Sequence, residues 1–396
     1  MAPGLVDAPQ RVVLAVGVGV IAALGWAIEH IGSARLALLF LTGTALGAVL
    51  YQSLFGFTSA FRVLLADGLS AGFRALLVML GCACVLFFPA LAAGSVFGQP
   101  VAGNVSPVGV SVAVGAFLFG IGMQLGGGCA SGTLFSVGGG STRMLLTLLF
   151  FIVGSVVGIT HLAWWQALPS FPAVSLVSIM GWPGALALNL LVFATAYLLV
   201  AHIERARHGS VIPIGSIKDA SWLRGPWPLL AGALGLSGLN FVTLCLAGRP
   251  WGITSAFGIW GGMALRAVGV PVETWSGYAT PDMQKILAGN VLSDITSVMD
   301  LGIMLGAMLC AGCAAKFHPV WRISGLHFLA SVIGGFLLGY GARLAYGCNI
   351  GAFFSGIASG SVHGWLWIVF ALLGSWVALY VRPYFDLSVH RTPAGC

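Results

Sequence analysis

Long apolar runs, most of them about 20 residues, alternate with short polar stretches along almost the whole chain. The pattern predicts helical spans near 11–31, 34–52, 71–91, 109–126, 142–163, 184–203, 228–247, 294–316, 325–344 and 362–381. Runs of this length can cross roughly 30 Å of hydrocarbon as helices. Four further stretches, 53–66, 127–141, 249–266 and 345–361, are apolar but too short or too glycine-rich to cross. Such pieces persist at membrane depth only where protein or a watered cavity satisfies their backbone.

The four broken stretches form two pairs. Phe57-Thr-Ser-Ala-Phe61 recurs as Ile253-Thr-Ser-Ala-Phe257, and Gly126-Gly-Gly-Cys129-Ala-Ser-Gly132 is matched by Tyr346-Gly-Cys348-Asn-Ile-Gly351. One constant shift lays Gly120 and Gly122 over Gly339 and Gly341, Gly128-Cys129 over Gly347-Cys348, Gly132 over Gly351 and Ser136 over Ser355. It also sets Gln124 over Arg343, a polar donor ahead of each thiol. Each half then reads span, broken piece, span, span, broken piece, span. The extra span at 184–203 makes the second half enter from the opposite side. The expectation is an all-α, polytopic integral membrane protein with two inverted repeats, whose re-entrant or broken helices line a central path. Its divisions are an N-terminal helix at 1–33, a first repeat at 34–163, a connecting helix and linker at 164–227, a second repeat at 228–381 and a tail at 382–396.

Composition agrees with a membrane solvent. Apolar residues make up 59% of the 396 positions and charged residues 7%, with a mean hydropathy of +1.01. A soluble chain of this size needs far more charge on its surface. The net charge of +7 forms no basic patch interleaved with aromatics, which excludes a nucleic-acid surface. With the N-terminus on side one, 12 of the 17 basic residues fall on that side and 5 on the other. The positive-inside rule therefore puts both termini and the linker 204–227 in the cytoplasm of a bacterial inner (plasma) membrane. The first span carries Gly17, Gly19 and Gly25 and no small-residue cleavage pattern, so it reads as a retained helix.

A cysteine at a glycine turn before a short helix meets exposed N–H groups and the positive end of that helix, which favour an anion without a buried lysine. Glycine lets backbone approach a ligand closely, and the thiol is a soft, weak donor suited to a polarizable sulfur atom. The candidate binding residues are Cys129 and Cys348, the glycines before them, Gly128 and Gly347, their neighbours Ser131 and Asn349, and Gln124 and Arg343. Packing of a small apolar residue at a tight crossing is the competing explanation for one motif; recurrence of the pair argues against it. Cys82, Cys84 and Cys245 read as packing residues, as does Cys310-Ala-Gly-Cys313, which has redox spacing on an apolar helix. Cys396 lies in the tail. No His adjoins a Cys, so neither a metal site nor a disulfide framework is expected. The absence of a Walker motif excludes ATP hydrolysis in this chain, and no cofactor is implied. Asp294, Asp300 and His327 are ionisable groups in or near spans, where burial is costly. His161, Trp164 and Trp165 read as an interfacial belt.

The doubled Gly-Cys motifs, the Gly-x-Gly span ends and Gln52-Ser-Leu-Phe-Gly-Phe57 resemble the YeeE/YedE family of membrane sulfur transporters over roughly residues 40–380. The resemblance implies an inner-membrane permease that imports thiosulfate or a related sulfur anion along a path lined by cysteine thiols, here Cys129 and Cys348. It also implies a small cytoplasmic sulfur-carrier protein as partner, beside the lipid bilayer itself. The family often has a third cysteine in a Gln-x-x-x-Cys-Phe pattern; this chain has Gly56 there, and Gly252 at the repeat mate. Two alternatives stand beside the permease: a thiol enzyme that forms a persulfide and relays sulfur to a carrier, and the same fold moving a selenium compound.

Overall fold

The computed structural model describes residues 8–216 and 221–390. Lys218, Arg391 and Cys396 lie outside them. Fifteen helices run in order: α1 (Arg11–Ile31), α2 (Ala34–Gln52), α3 (Phe57–Asp67), α4 (Ala71–Ala93), α5 (Val110–Gly126), α6 (Ala130–Gly138), α7 (Thr142–Gln166), α8 (Leu176–His208), α9 (Leu229–Ala247), α10 (Thr254–Ala267), α11 (Pro281–Ala288), α12 (Ile295–Cys313), α13 (Gly325–Leu344), α14 (Ser355–Ala358) and α15 (His363–Val381). Two two-residue antiparallel pairings, Ser95–Val96 with Gln99–Pro100 and Val108–Gly109 with Ser170–Phe171, are the sheet among the described residues.

Among the described residues ten stretches are long and apolar enough to cross a membrane, and each overlaps one span predicted from the apolar pattern. Ser141, Asp294 and Ser324 open α7, α12 and α13 by accepting the N–H of Met144, Ser297 and His327, which satisfies donors that the first turn leaves free. The connecting span is longer than expected. It runs over α8 and bends at Gly181, whose φ of 71° ahead of Pro183 interrupts the helix. Between α10 and α12, where the apolar pattern assigns nothing, α11 and two 3₁₀ turns fold over the end of α10.

The broken stretches are α3, α6, α10 and the segment 349–358. Packing follows the repeat. α2 lies on α12 as α9 lies on α4; α7 lies on α13 as α15 lies on α5; α10 meets α7 as α3 meets α15; α6 meets α12 as α14 meets α4. The pairs that map onto themselves, α5 with α13 and α2 with α9, are also in contact.

Glycine makes these crossings possible. Gly43 and Gly47 of α2 abut the backbone of Met299 and Ile303, while Gly302 and Gly306 of α12 abut that of Phe40 and Thr44. Each helix thus presents a small-xxx-small edge to the other's main chain, the arrangement that lets backbones touch where lipid offers no hydrophobic drive. The α5–α13 crossing repeats it with Gly115, Gly122 and Gly126 against Gly334 and Gly341.

Charge counting treats Arg74 as a loop residue, but it is buried and pairs with Glu204 of α8 at 3.3 Å. Glu204 also accepts from Ser70 N–H (3.1 Å), from the Ser70 hydroxyl and from Ile212 N–H (3.0 Å), and Arg74 donates to the Ile212 carbonyl at 2.5 Å. The pair is fully satisfied, the condition under which burying two charges is tolerable, and it ties the start of the linker to α4.

Replacing Gly306 with Val should separate α2 from α12 and lower thermal stability in detergent by about 1–3 kcal/mol or more, as overpacked cores do. Gly19→Ala, with nothing within 4 Å of the added atom, should leave the unfolding midpoint unchanged.

Candidate functional site

Each cysteine stands where a long helix stops and a short one starts. α5 ends at Gly127, left-handed at φ 88°, and Cys129 caps α6 in extended backbone. Its sulfur accepts from Gly132 N–H at 3.4 Å and lies 3.3 Å from the Ser131 hydroxyl. In the second half Tyr346 (φ 55°) and Gly347 (φ 146°) turn the chain, and the sulfur of Cys348 accepts from Ile350 N–H at 3.4 Å. Both thiols are buried, 1% and 0% exposed. They lie within electrostatic reach of one another, and α6 touches the segment that follows Cys348.

Two details differ from the expectation. Gly128 does not adopt positive φ; the left-handed residue is Gly127. What Gly128 supplies is room, because an added Cβ would sit 3.2 Å from the backbone of Gly132 and Thr133. And although α6 is an ordinary helix, Asn349–Phe354 is a π-helical turn leading into α14. Widened turns of this kind are frequent at functional sites.

Both polar residues ahead of the thiols reach the other broken piece of their own half. Gln124 donates through Nε2 to the Thr58 carbonyl of α3 at 3.1 Å. The Arg343 guanidinium lies against Gly258 of α10 and near Tyr278 and Cys348. Tyr278 donates to the Gly258 carbonyl at 2.8 Å; burial pushes its phenol up to about 12, with Arg343 acting in the opposite sense. The stem of Arg343 packs on Gly158 of α7, where an added Cβ would stand 2.9 Å from it. Gly158 therefore supports the site, although in the sequence it reads as an ordinary span glycine.

Several polar atoms here are buried and have no hydrogen-bond partner: Nε and Nη2 of Arg343, both amide atoms of Asn349, Oγ1 of Thr133, Oε1 of Gln124 and Nε1 of Trp251. An unmet buried donor or acceptor is costly to the fold, so such a concentration calls for a ligand or water. Ser131, by contrast, has its hydroxyl against the sulfur.

The two glycines at the third-cysteine position border separate cavities. One of about 460 Å³ is lined by Arg249, Trp251, Gly252, Ser255, Arg343 and Gly347. The other, of about 450 Å³, is lined by Phe55, Gly56, Ser59, Ala60, Ile214 and Trp227. Linker residues close over the second: Gln52 donates to the Leu223 carbonyl (2.9 Å) and accepts from Trp227 N–H (2.6 Å) through its own carbonyl.

Sequence reasoning missed three residues that brace the second motif. Asn104 donates to the Gly351 carbonyl at 2.7 Å. Asn240 accepts from Trp251 N–H at 2.9 Å and donates to Ser355 Oγ at 3.2 Å. Trp367 donates to the Gly347 carbonyl at 3.3 Å. Asn240, a lone amide in an apolar span, was the available signal. His327 lies half-buried at the start of α13, near the Asp386 carbonyl. His161 and Trp165 meet on the Tyr340 hydroxyl (3.2 and 2.8 Å) beside an exposed Trp164. The remaining described cysteines are free, and the described residues contain no group of three or more His, Cys, Asp or Glu that could hold a metal.

Gly347→Val places a β-branched residue at φ 146° with its Cβ 2.7 Å from Ala352 N. It should abolish correct packing, read as loss of monodisperse protein after detergent extraction. Gly128→Ala should be milder, and Gly351→Ala, with nothing within 4 Å, should behave as wild type.

Known proteins agree with this architecture. The 359-residue match to the thiosulfate transporter TsuA of Spirochaeta thermophila is 28% identical and covers 86% of this chain and 97% of that one. TsuA of Escherichia coli is 26% identical over 357 residues, covering 86% and 94%. The probable transporter YedE of Escherichia coli is 31% identical over 156 residues, 39% of this chain and 38% of its own. The family described as sulphur transport matches residues 52–377. The chain, an all-α membrane protein with ten candidate spans, belongs to that family of sulfur transporters.

Proposed function

We propose that this protein is an inner-membrane permease that imports a small sulfur-containing anion such as thiosulfate past Cys129 and Cys348. The observation that carries the reading is a pair of buried thiols, each capping one of two short helical segments that touch, beside polar atoms with no partner. The names of the TsuA relatives support the choice of anion.

An anion with a sulfur end and an oxyanion end fits this set. The thiols give soft S–H contacts to the sulfur atom. The backbone N–H groups at the start of α6, the Arg343 guanidinium and the Asn349 amide are donors for oxygen. The substrate forms no covalent bond. Arg249 and Arg343 make the Trp251 cavity the natural place for an anion to collect, and the cavity beside Gly56 is its counterpart on the other side. The reciprocal packing of the two halves supports the repeat, and the single span α8 between them supports its inversion. With the basic residues on the linker side, both termini and the linker face the cytoplasm. A small sulfur-carrier protein would then meet the linker and the short cytoplasmic loops.

Cys129→Ser and Cys348→Ser should each lower uptake of labelled thiosulfate into proteoliposomes about tenfold or more, equivalent to at least 1.4 kcal/mol, with protein levels near wild type. Near-normal uptake by both variants would refute the thiol path. A stable mass adduct on either cysteine after exposure to thiosulfate would instead favour sulfur relay. Reporter tags within 204–227 should read cytoplasmic and tags within 92–108 and 164–183 extracytoplasmic; the opposite result would invert the orientation.

A further inference from the structure

The anion path accounts for the thiols and donors but leaves one acid unexplained. Asp300, in the second turn of α12, is 0% exposed, and neither carboxylate oxygen has a hydrogen-bond partner. An isolated carboxylate in such a place is strongly disfavoured, so the group is held there as the neutral acid unless a path opens to it. Nothing in the fold uses it.

Its surroundings describe a route. Asp294, Ser297 and Asp300 recur every three residues along α12. Asp294 accepts from the Ser297 hydroxyl at 2.7 Å, and Ser297 accepts from Trp260 Nε1 at 2.9 Å. On the adjoining position Thr296 meets Ser255 at 3.0 Å and Arg249 at 3.1 Å, and both of those residues line the cavity assigned to anion entry. Thr296 and Ser297 stand four and three residues before Asp300, on the same face of α12, so this cavity-side cluster lies one turn from the acid. The acid also lies within electrostatic reach of Cys348.

Arg249, on Thr296 one turn earlier, is the charged side chain the cavity brings to this face, and few other ionisable groups bear on it. Asp294 is the nearest on its own helix and Cys348 on the second motif. α2 abuts this stretch of α12 with Phe40, Gly43 and Thr44, and α6 abuts it with Gly138, so neither brings a charge. α1 packs at Met308 and Leu309, two turns away. α10 brings Trp260, and its Arg266 is paired with Glu273 at 2.8 Å.

We propose that Asp300 is the proton-coupling site of this transporter, taking a proton through the Thr296–Ser297–Asp294 face from the anion-entry side and releasing it with the anion on the cytoplasmic side. The inference rests on the reading of the protein as an importer of an anion. It supplies what that reading lacks, because an inside-negative potential opposes the entry of every negative charge and a co-moving proton offsets it. The acid returns to its neutral form by taking a new proton from the entry side.

The test uses purified full-length protein in vesicles with entrapped pH dye and labelled thiosulfate, read as gradient-driven uptake and as exchange at zero gradient. For the wild type, uptake should acidify the lumen, and an alkaline interior should raise accumulation by about tenfold per pH unit for each proton carried. Asp300→Asn should keep exchange and lose both the acidification and the gradient response, while Asp300→Glu should restore them with a shifted pH dependence. Net uptake by the wild type without lumen acidification would overturn the coupling while leaving the permease reading intact, as would a gradient response retained in Asp300→Asn. Should Asp300→Asn fail to assemble, the wild-type dye signal and Asp300→Glu decide the matter. Absence of wild-type exchange would overturn the transport reading itself, and the coupling with it.

Discussion

Everything in this structure answers to one rule: a backbone in hydrocarbon must find its hydrogen bonds inside the protein. A chain that breaks its helices at membrane depth exposes N–H and C=O groups at four places, and lipid can satisfy none of them. The broken pieces survive because long helices enclose their first turns, and those helices enclose them because glycine edges let main chains touch. Gly43 and Gly47 against Gly302 and Gly306, and the α5–α13 crossing, form the frame on which the short helices hang. Inside that frame the freed N–H groups become a resource. Two of them are met by sulfur, at 3.4 Å in both motifs, which leaves the weakest acceptor in the protein holding the most directional donors.

Much of this was legible in the chain. All ten spans emerge from hydropathy because the bilayer imposes length and apolarity on each helix separately. The pairing of broken pieces was legible because the same glycines and hydroxyl residues recur at fixed offsets. The details that escaped are those set by a partner distant in sequence. Gly127 rather than Gly128 takes the left-handed turn because the end of α5, not the cysteine, dictates where the chain reverses. Gly158 is reserved for the stem of Arg343, 185 positions later. Asn104, Asn240 and Trp367 carry no local pattern and acquire their meaning from Gly351, Ser355 and Gly347.

The two motifs also show how an approximate repeat is tuned. The first cysteine opens an α-helix and the second a π-helical turn, although glycine and cysteine occupy equivalent positions. Arg343 stands where the first half has Gln124, so a full charge marks one side and a neutral amide the other. The cavity on the Arg343 side is open to Arg249, whereas the cavity beside Gly56 lies under the linker. Similar packing and asymmetry of charge coexist in the two motifs.

The glycine seams carry a mechanical consequence. Helices that touch main chain to main chain belong to opposite halves: α2 to the first and α12 to the second, α5 and α7 to the first and α13 to the second. The halves are laced through one another like the fingers of clasped hands. Swinging one half as a rigid block against the other would have to prise open the most closely packed crossings in the molecule. Free space remains instead in the short pieces between them, beside Gly252 and Gly351. In such a body, movement is left to a few turns of the short pieces about a stationary frame.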